Sequence, residues 1–217
     1  MKQAIIEIYV QPLAQLITQN KDQFENLPAF NSYKKNQIYQ NRNSLISQFL
    51  NRPISNQSFT NTEFGKPYLI LEPKFSFNHS HSQKNYALAM SKQIKNIGVD
   101  VEDLDRKVRF EALAKHAFHP NELKKWYESD QQEEYWFKVW TTKEAVLKAS
   151  GLGIRMSLNE LDTQVDSIQN GGICQHENFG VYAYQNYVLA NCMLTVAWQS
   201  ELSCKGFAFP QIQIIQN

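Results

Sequence analysis

Lys143 stands where an amphipathic helix should be apolar. In the run Trp140-Thr141-Thr142-Lys143-Glu144-Ala145-Val146-Leu147-Lys148 its neighbours one turn away are Val139, Trp140, Val146 and Leu147, so on a helix it projects from the greasy face. A fold that buries this helix must bring an anion to the ammonium. Glu144 and Lys148 lie four residues apart on the adjoining edge, so a lysine, a carboxylate and a second lysine crowd one side of the helix. Taken alone, the pattern also suits an ordinary surface Glu–Lys pair, with Lys143 snorkelling along its stem to water. The rest of the chain decides between the two.

The chain has 217 residues, 42% of them hydrophobic, enough for one ample domain or two small ones. A formal charge of +1 gives no basic field for nucleic acid, so any bound anion must meet a local cluster. Cys174, Cys192 and Cys204 are widely spaced and odd in number, which argues against a disulfide framework or a zinc ribbon and fits a reducing cytoplasm. Ile6, Ile8 and Val10 alternate with Glu7, Tyr9 and Gln11 before Pro12, a strand pattern rather than the apolar core of a signal peptide. No segment approaches the roughly 18 unbroken apolar residues of a membrane span. The expectation is a cytoplasmic protein that engages neither membrane nor nucleic acid.

Leu45, Ile46, Phe49 and Leu50 recur at helical spacing and stop at Asn51-Arg52-Pro53. Phe64-Gly65-Lys66-Pro67 reads as a turn, and Phe75 to Met90 as short strands in which Tyr86, Leu88 and Met90 alternate with small alanines. Ile97 to Glu102 is a further strand. Phe110, Leu113, Ala114, Ala117 and Phe118 mark a helix ending at His119-Pro120, and a short helical piece spans Asn121 to Tyr127. After the polar run 128–134 a helix continues to Ser150 and stops at Gly151 and Gly153. Strands follow, most clearly Val181 to Tyr184 and Tyr187 to Trp198. The order of elements, strands and helices before about residue 97 and a similar set after it, suggests two comparable halves, an N-terminal one, 1–97, and a C-terminal one, 98–217.

Three stretches carry candidate chemistry. In Ile97-Gly98-Val99-Asp100-Val101-Glu102, strand alternation turns Gly98, Asp100 and Glu102 to one face, and Gly98 leaves room there for something large. Two carboxylates side by side repel unless a cation sits between them, and oxygen ligands suit magnesium or calcium. A solvent-facing edge strand would show the same spacing. Phe77-Asn78-His79-Ser80-His81-Ser82 is dense in hydrogen-bonding groups. His79 and His81 could open a zinc site, but Gln83 and Lys84 stand where further ligands are wanted, and His116 and His119 straddle a helix end. Serine and histidine converging on a phosphate is the better use, with simple satisfaction of a tight turn as the other reading.

Gly65-Lys66-Pro67, Phe77-Asn78-x-Ser80-His81-Ser82, Gly98-Val99-Asp100-Val101-Glu102 and Trp140-x-x-Lys143-Glu144-x-x-x-Lys148, in that order and with Gly151 and Gly153 behind, resemble the 4'-phosphopantetheinyl transferases. Length and the acidic-pair spacing match the surfactin-synthetase-activating class rather than the shorter holo-acyl-carrier-protein synthases. The resemblance implies a pseudo-twofold α+β monomer, two similar halves each with a small antiparallel sheet and a long helix, with coenzyme A between them. It implies magnesium on Asp100, Glu102 and Glu144, Lys148 on the diphosphate, and His81 with Ser80 and Lys66 at the 3'-phosphate. The implied reaction transfers 4'-phosphopantetheine from coenzyme A to a serine of an apo acyl or peptidyl carrier protein, releasing adenosine 3',5'-bisphosphate. Glu144 or a metal-bound hydroxide would take the serine proton.

Two features depart from the family pattern. His79 replaces a residue that is usually apolar. The basic clamp on the 3'-phosphate is blurred among Lys34, Lys35, Arg42 and Arg52, of which Arg42 is best placed. Competing readings are a non-catalytic magnesium- or nucleotide-binding module and a zinc hydrolase on His79 and His81. For the carrier, the expected docking surface is the helix 110–118 with Leu123 and Trp126, where Lys115, Lys124 and Lys125 offer charge; the other reading packs Leu123 and Trp126 into the core.

Overall fold

The computed structural model describes residues 3–153, 156–200 and 209–216. Strand β1 (Ile5–Pro12) leads through a single turn, α1 (Leu13–Leu16), to the long helix α2 (Leu27–Leu50). The side chain of Asn26 caps α2 by accepting the Ala29 N–H, and Asn51, in the left-handed region at φ 53°, ends it. A small hairpin, β2 (Phe59–Asn61) with β3 (Pro67–Leu69), precedes β4 (Ser76–His81) and β5 (Asn85–Ser91). The second half runs β6 (Gly98–Asp103), α3 (Phe110–Ala117), α4 (Pro120–Glu128), α5 (Glu133–Ser150), β7 (Gly171–His176), β8 (Gly180–Val188) and β9 (Cys192–Gln199), then β10 (Gln211–Gln216).

Two four-stranded sheets result, in the orders β10-β1-β5-β4 and β6-β9-β8-β7. Every pair in them is antiparallel except β1 with β10, which run parallel from Ile5 opposite Gln211. A strand from the 98–217 segment therefore completes the sheet of the 1–97 segment. The run expected as one strand from Tyr187 to Trp198 is split, because Leu189 N–H donates to the Cys192 carbonyl and reverses the chain between β8 and β9.

Alternation within the strands sorts the core into layers. On β5, Tyr86, Leu88 and Met90 pack with Ile38, Leu45 and Ile46 of α2, while Ala87 and Ala89 face the second sheet. Ile6, Ile8 and Val10 meet Val99, Val101, Leu194 and Val196 in that central layer. On the far side α5 covers Tyr182, Tyr184, Met193 and Ala197 with Trp136, Val139, Val146 and its neighbours. The space that Gly98 opens is filled by α5 itself: a Cβ there would lie 2.0 Å from the Ala145 carbonyl oxygen and 2.5 Å from the Ala149 nitrogen.

The sheets meet along two strand edges, β4 of the first and β6 of the second, and side chains do the pairing. Ser76 Oγ accepts the Ile97 N–H at 3.0 Å and Asn78 Oδ1 the Val99 N–H at 2.9 Å. Ser80 Oγ donates to Asp100 Oδ1 at 2.8 Å and Ser82 Oγ to Asp103 Oδ1 at 2.6 Å. Every second residue of the polar stretch is thus spent on the neighbouring edge. Cys174 and Cys192 are buried free thiols, and Cys204 lies outside the described residues. Among the described residues no helix is long and apolar enough to cross a membrane.

Candidate functional site

The face of β6 opposite the central layer carries Asp100 and Glu102, and α5, held tight by Gly98, brings Glu144 and Lys148 to it. Lys148 Nζ lies 2.5 Å from Asp100 Oδ1, 3.0 Å from Ser80 Oγ and 3.9 Å from Glu144 Oε2. Three of the segments read separately in the sequence therefore converge. Glu102 Oε1 accepts from Arg106 Nη1 at 2.7 Å and from the Trp140 indole N–H at 3.1 Å, and Trp140 stacks on Trp136 with centroids 5.2 Å apart. Arg106 escaped the sequence reading; its one visible signal is a base four residues after Glu102.

The electrostatics are those of crowded acids. Burial raises the Glu102 carboxyl against its hydrogen bond from Arg106, and the Asp100 charge adds to the rise. Burial also raises Glu144, helped by Asp100 and Glu102 and opposed by Lys148. For Lys148, burial pulls downward, but Asp100 and Glu144 outweigh it and hold the ammonium above the usual lysine range. The donor chemistry suits a hard divalent cation: the three carboxylates offer oxygen only, and Asp100 Oδ2 is buried with no hydrogen-bond partner. As the side chains stand, Lys148 and Arg106 supply the counter-charge, and among the described residues no three His, Cys, Asp or Glu groups are gathered closely enough to hold a metal ion. His79 and His81 thus have no third ligand beside them.

Two cavities flank the cluster. One, of about 500 Å³, is lined by His116, Glu144, Leu147, Lys148, Met156 and Leu158. The other, of about 470 Å³, lies over the first sheet and is lined by Tyr39, Arg42, Asn56, Phe59, Asn61 and His79. Arg42 is buried, its guanidinium donating to Asn43 Oδ1 and sitting 4.5 Å from the Tyr39 ring centroid and 4.0 Å from that of Phe59. Burial lowers its pKa. His81 is exposed, with Nδ1 3.2 Å from the Ser82 carbonyl, and burial of its ring lowers its pKa.

Lys66, expected at a phosphate, directs its ammonium to two backbone carbonyls, Ala149 at 2.7 Å and Ile97 at 3.1 Å, and burial lowers it to about 8. It ties the C-terminal turn of α5, whose carbonyls lack helical partners, to the start of β6. Trp126 is in the core rather than on a docking surface: it is 1% exposed, and its indole donates to the Gln132 carbonyl. Lys115, Phe118, Leu123, Lys124 and Tyr127 do line a surface groove of about 500 Å³.

The anion required by Lys143 is Glu122, whose importance the sequence did not signal. Lys143 Nζ is 2.7 Å from Glu122 Oε2, both side chains are essentially unexposed at 0% and 1%, and the ammonium also donates to the carbonyls of Leu158, at 2.8 Å, and Leu161. Glu122 accepts in addition from the His119 N–H and from the N–H and hydroxyl of Thr163. The pair pins α4 and the 158–163 segment to α5 one residue before Glu144. Burial depresses the Lys143 pKa and Glu122 opposes it.

Residues 96–196 match the sequence profile of the 4'-phosphopantetheinyl transferase superfamily. Among curated relatives, a 4'-phosphopantetheinyl transferase of a Nostoc species is 37% identical over 51% of this chain and 48% of its own. One of Bacillus subtilis is 33% identical over 50% of this chain and 47% of its own. Another, of Bacillus pumilus, is 27% identical over 74% of each chain. The chain spans about half the length of the first two.

Proposed function

Since the chain belongs, through residues 96–196, to the 4'-phosphopantetheinyl transferase superfamily, we propose that it transfers 4'-phosphopantetheine from coenzyme A to a serine of an apo acyl or peptidyl carrier protein. The observation that carries this reading is the convergence of Asp100, Glu144 and Lys148, with Lys148 Nζ within 2.5 Å and 3.9 Å of the two acids, beside a cavity of about 500 Å³ that Glu144 and Lys148 line. A diphosphate approaching three carboxylates needs its charge neutralised. Asp100, Glu102 and Glu144 are the residues that would hold magnesium, which supplies that neutralisation when bound.

In the proposed step the serine oxygen attacks the pantetheine-side phosphorus of the coenzyme A diphosphate. The bond from that phosphorus to the bridging oxygen breaks, and adenosine 3',5'-bisphosphate leaves with that oxygen. Glu144 receives the serine proton; burial, with Asp100 and Glu102 beside it, raises its pKa and so its basicity. Lys148 holds the diphosphate, kept in place by Asp100 and Ser80. Trp140 and Arg106 fix the Glu102 carboxylate, so the acid is oriented before substrate arrives. Arg42 and His81 serve the 3'-phosphate, while Lys66 acts through the backbone it braces. The groove at Lys115, Leu123 and Lys124 takes the acidic carrier. Incubation with coenzyme A, magnesium and a panel of apo-carriers, read by mass spectrometry, tests this. A phosphopantetheine-sized gain on a carrier serine is expected, and no gain on any carrier would sink the proposal.

A further inference from the structure

Along the face of β4 that looks toward α2, exposure rises from Phe77, at 2%, through half-buried His79 to exposed His81. His79 stands in the wall of the 470 Å³ cavity beside Arg42, between the rings of Tyr39 and Tyr86, whose centroids lie 6.2 and 5.9 Å away. Its Nδ1 is buried with no hydrogen-bond partner. An apolar side chain would fill this place without stranding a polar atom, so packing alone does not account for a histidine.

Burial, with Arg42, His81 and Lys148 adding to it, lowers the imidazole to about 3 and keeps it neutral. A neutral ring carries one proton. Placing that proton on Nδ1 would strand a buried donor, so it belongs on Nε2, the ring nitrogen that is not buried without a partner. Around it the cavity is rich in donors. The Arg42 guanidinium spends Nε and Nη2 on Asn43 and keeps Nη1; the amides of Asn56 and Asn61 are present, and no carboxylate is in the lining. Such a wall suits a compact group with several acceptor oxygens, a phosphate monoester.

We propose that His79 is a specificity-determining residue that donates its Nε2–H to the 3'-phosphate of coenzyme A inside this cavity, beside Arg42. The assignment rests on the transferase reading for the identity of the ligand. The test compares coenzyme A with 3'-dephospho-coenzyme A as donors for wild type, His79→Leu and His79→Gln; glutamine places an amide N–H about where Nε2 lies. His79→Leu is expected to raise the KM for coenzyme A about ten- to a hundredfold, the loss of one hydrogen bond to a charged group, and to leave the KM for the dephospho donor in place. His79→Gln should recover much of the loss. An equal shift for both donors, no shift for either, or a glutamine variant that behaves like leucine would overturn the assignment. Wild-type protein that transfers from neither donor would remove the functional reading. Calorimetry then judges His79 alone: adenosine 3',5'-bisphosphate must bind wild type more tightly than His79→Leu, with no such difference for adenosine 5'-monophosphate, or the proposal fails.

Discussion

Replacing Lys143 by methionine keeps the volume of the stem and deletes the ammonium, which leaves the Glu122 carboxylate, 1% exposed, without its cation. Breaking a buried pair from one side costs about 3–5 kcal/mol, because the remaining charge is stranded. Here Glu122 keeps the N–H groups of His119 and Thr163 and the Thr163 hydroxyl, which places the loss near the lower bound, while the Leu158 and Leu161 carbonyls lose their donor and hold it there. For a chain of this size about 3 kcal/mol corresponds to a fall of roughly 6–12 °C in melting temperature. Lys143→Met/Glu122→Gln removes both charges and keeps an acceptor for Thr163, so the double variant should melt well above the sum of the two single losses. Thermal melts of the four proteins at pH 7, with urea midpoints as a second measure, supply the test. A Lys143→Met protein melting within 2 °C of wild type, or two single losses that simply add, would refute the reasoning that the pair is a coupled buried unit.

Asp100→Ala and Glu144→Ala should each lower transfer by orders of magnitude at saturating magnesium while the far-ultraviolet spectrum is kept; full activity of Asp100→Ala would remove the metal assignment. The Glu144 pKa is raised above its ordinary 4.5 in the folded state, so the folded protein binds the extra proton between the two values and loses stability as pH climbs through the higher one. Without added metal, Glu144→Gln should therefore melt higher than wild type at pH 7, with an advantage that closes as pH falls to 4.5; a constant offset would contradict the titration. Gly98→Ala drives a methyl to 2.0 Å from the Ala145 carbonyl oxygen, a backbone contact that only a shift of α5 can relieve, and should cost about 1–3 kcal/mol or more together with activity. Charge reversal at Lys124 and Lys125 should raise the KM for the carrier, more so at low salt, and leave that for coenzyme A; unchanged values for both across salt would move the docking surface elsewhere.

Much of the site was legible because strand and helix periods place residues on faces. Period two put Asp100 and Glu102 together, and a turn of helix put Glu144 beside Lys148, which are local facts. What was not legible depends on partners distant in sequence. The first turns of α2 carry few apolar residues, so only Leu45 to Leu50 announced the helix. Helical spacing placed Trp126 on a face without saying that the face turns inward. The Lys66 motif marked a turn, but the open carbonyl at Ala149 that draws its ammonium lies 83 residues away. Glu122 looked like one more acid in a short charged helix until α5 was laid against it.

The seam between the sheets explains why the polar stretch in β4 bears on both architecture and site. Each sheet ends here in an edge strand, β4 or β6, and an edge strand's free N–H groups must be covered. Ser76 and Asn78 cover the N–H groups of Ile97 and Val99. One step further along, Ser80 meets the Asp100 carboxylate instead of a backbone group. The register that closes the seam is therefore the register that sets Asp100 against Ser80 and Lys148. A slip of one residue between β4 and β6 would turn Phe77 and His79 into the seam and carry Ser80 away from the acid. Joining the halves and bringing Ser80, Asp100 and Lys148 together depend, on this geometry, on one register, which leaves His79 and His81 facing α2.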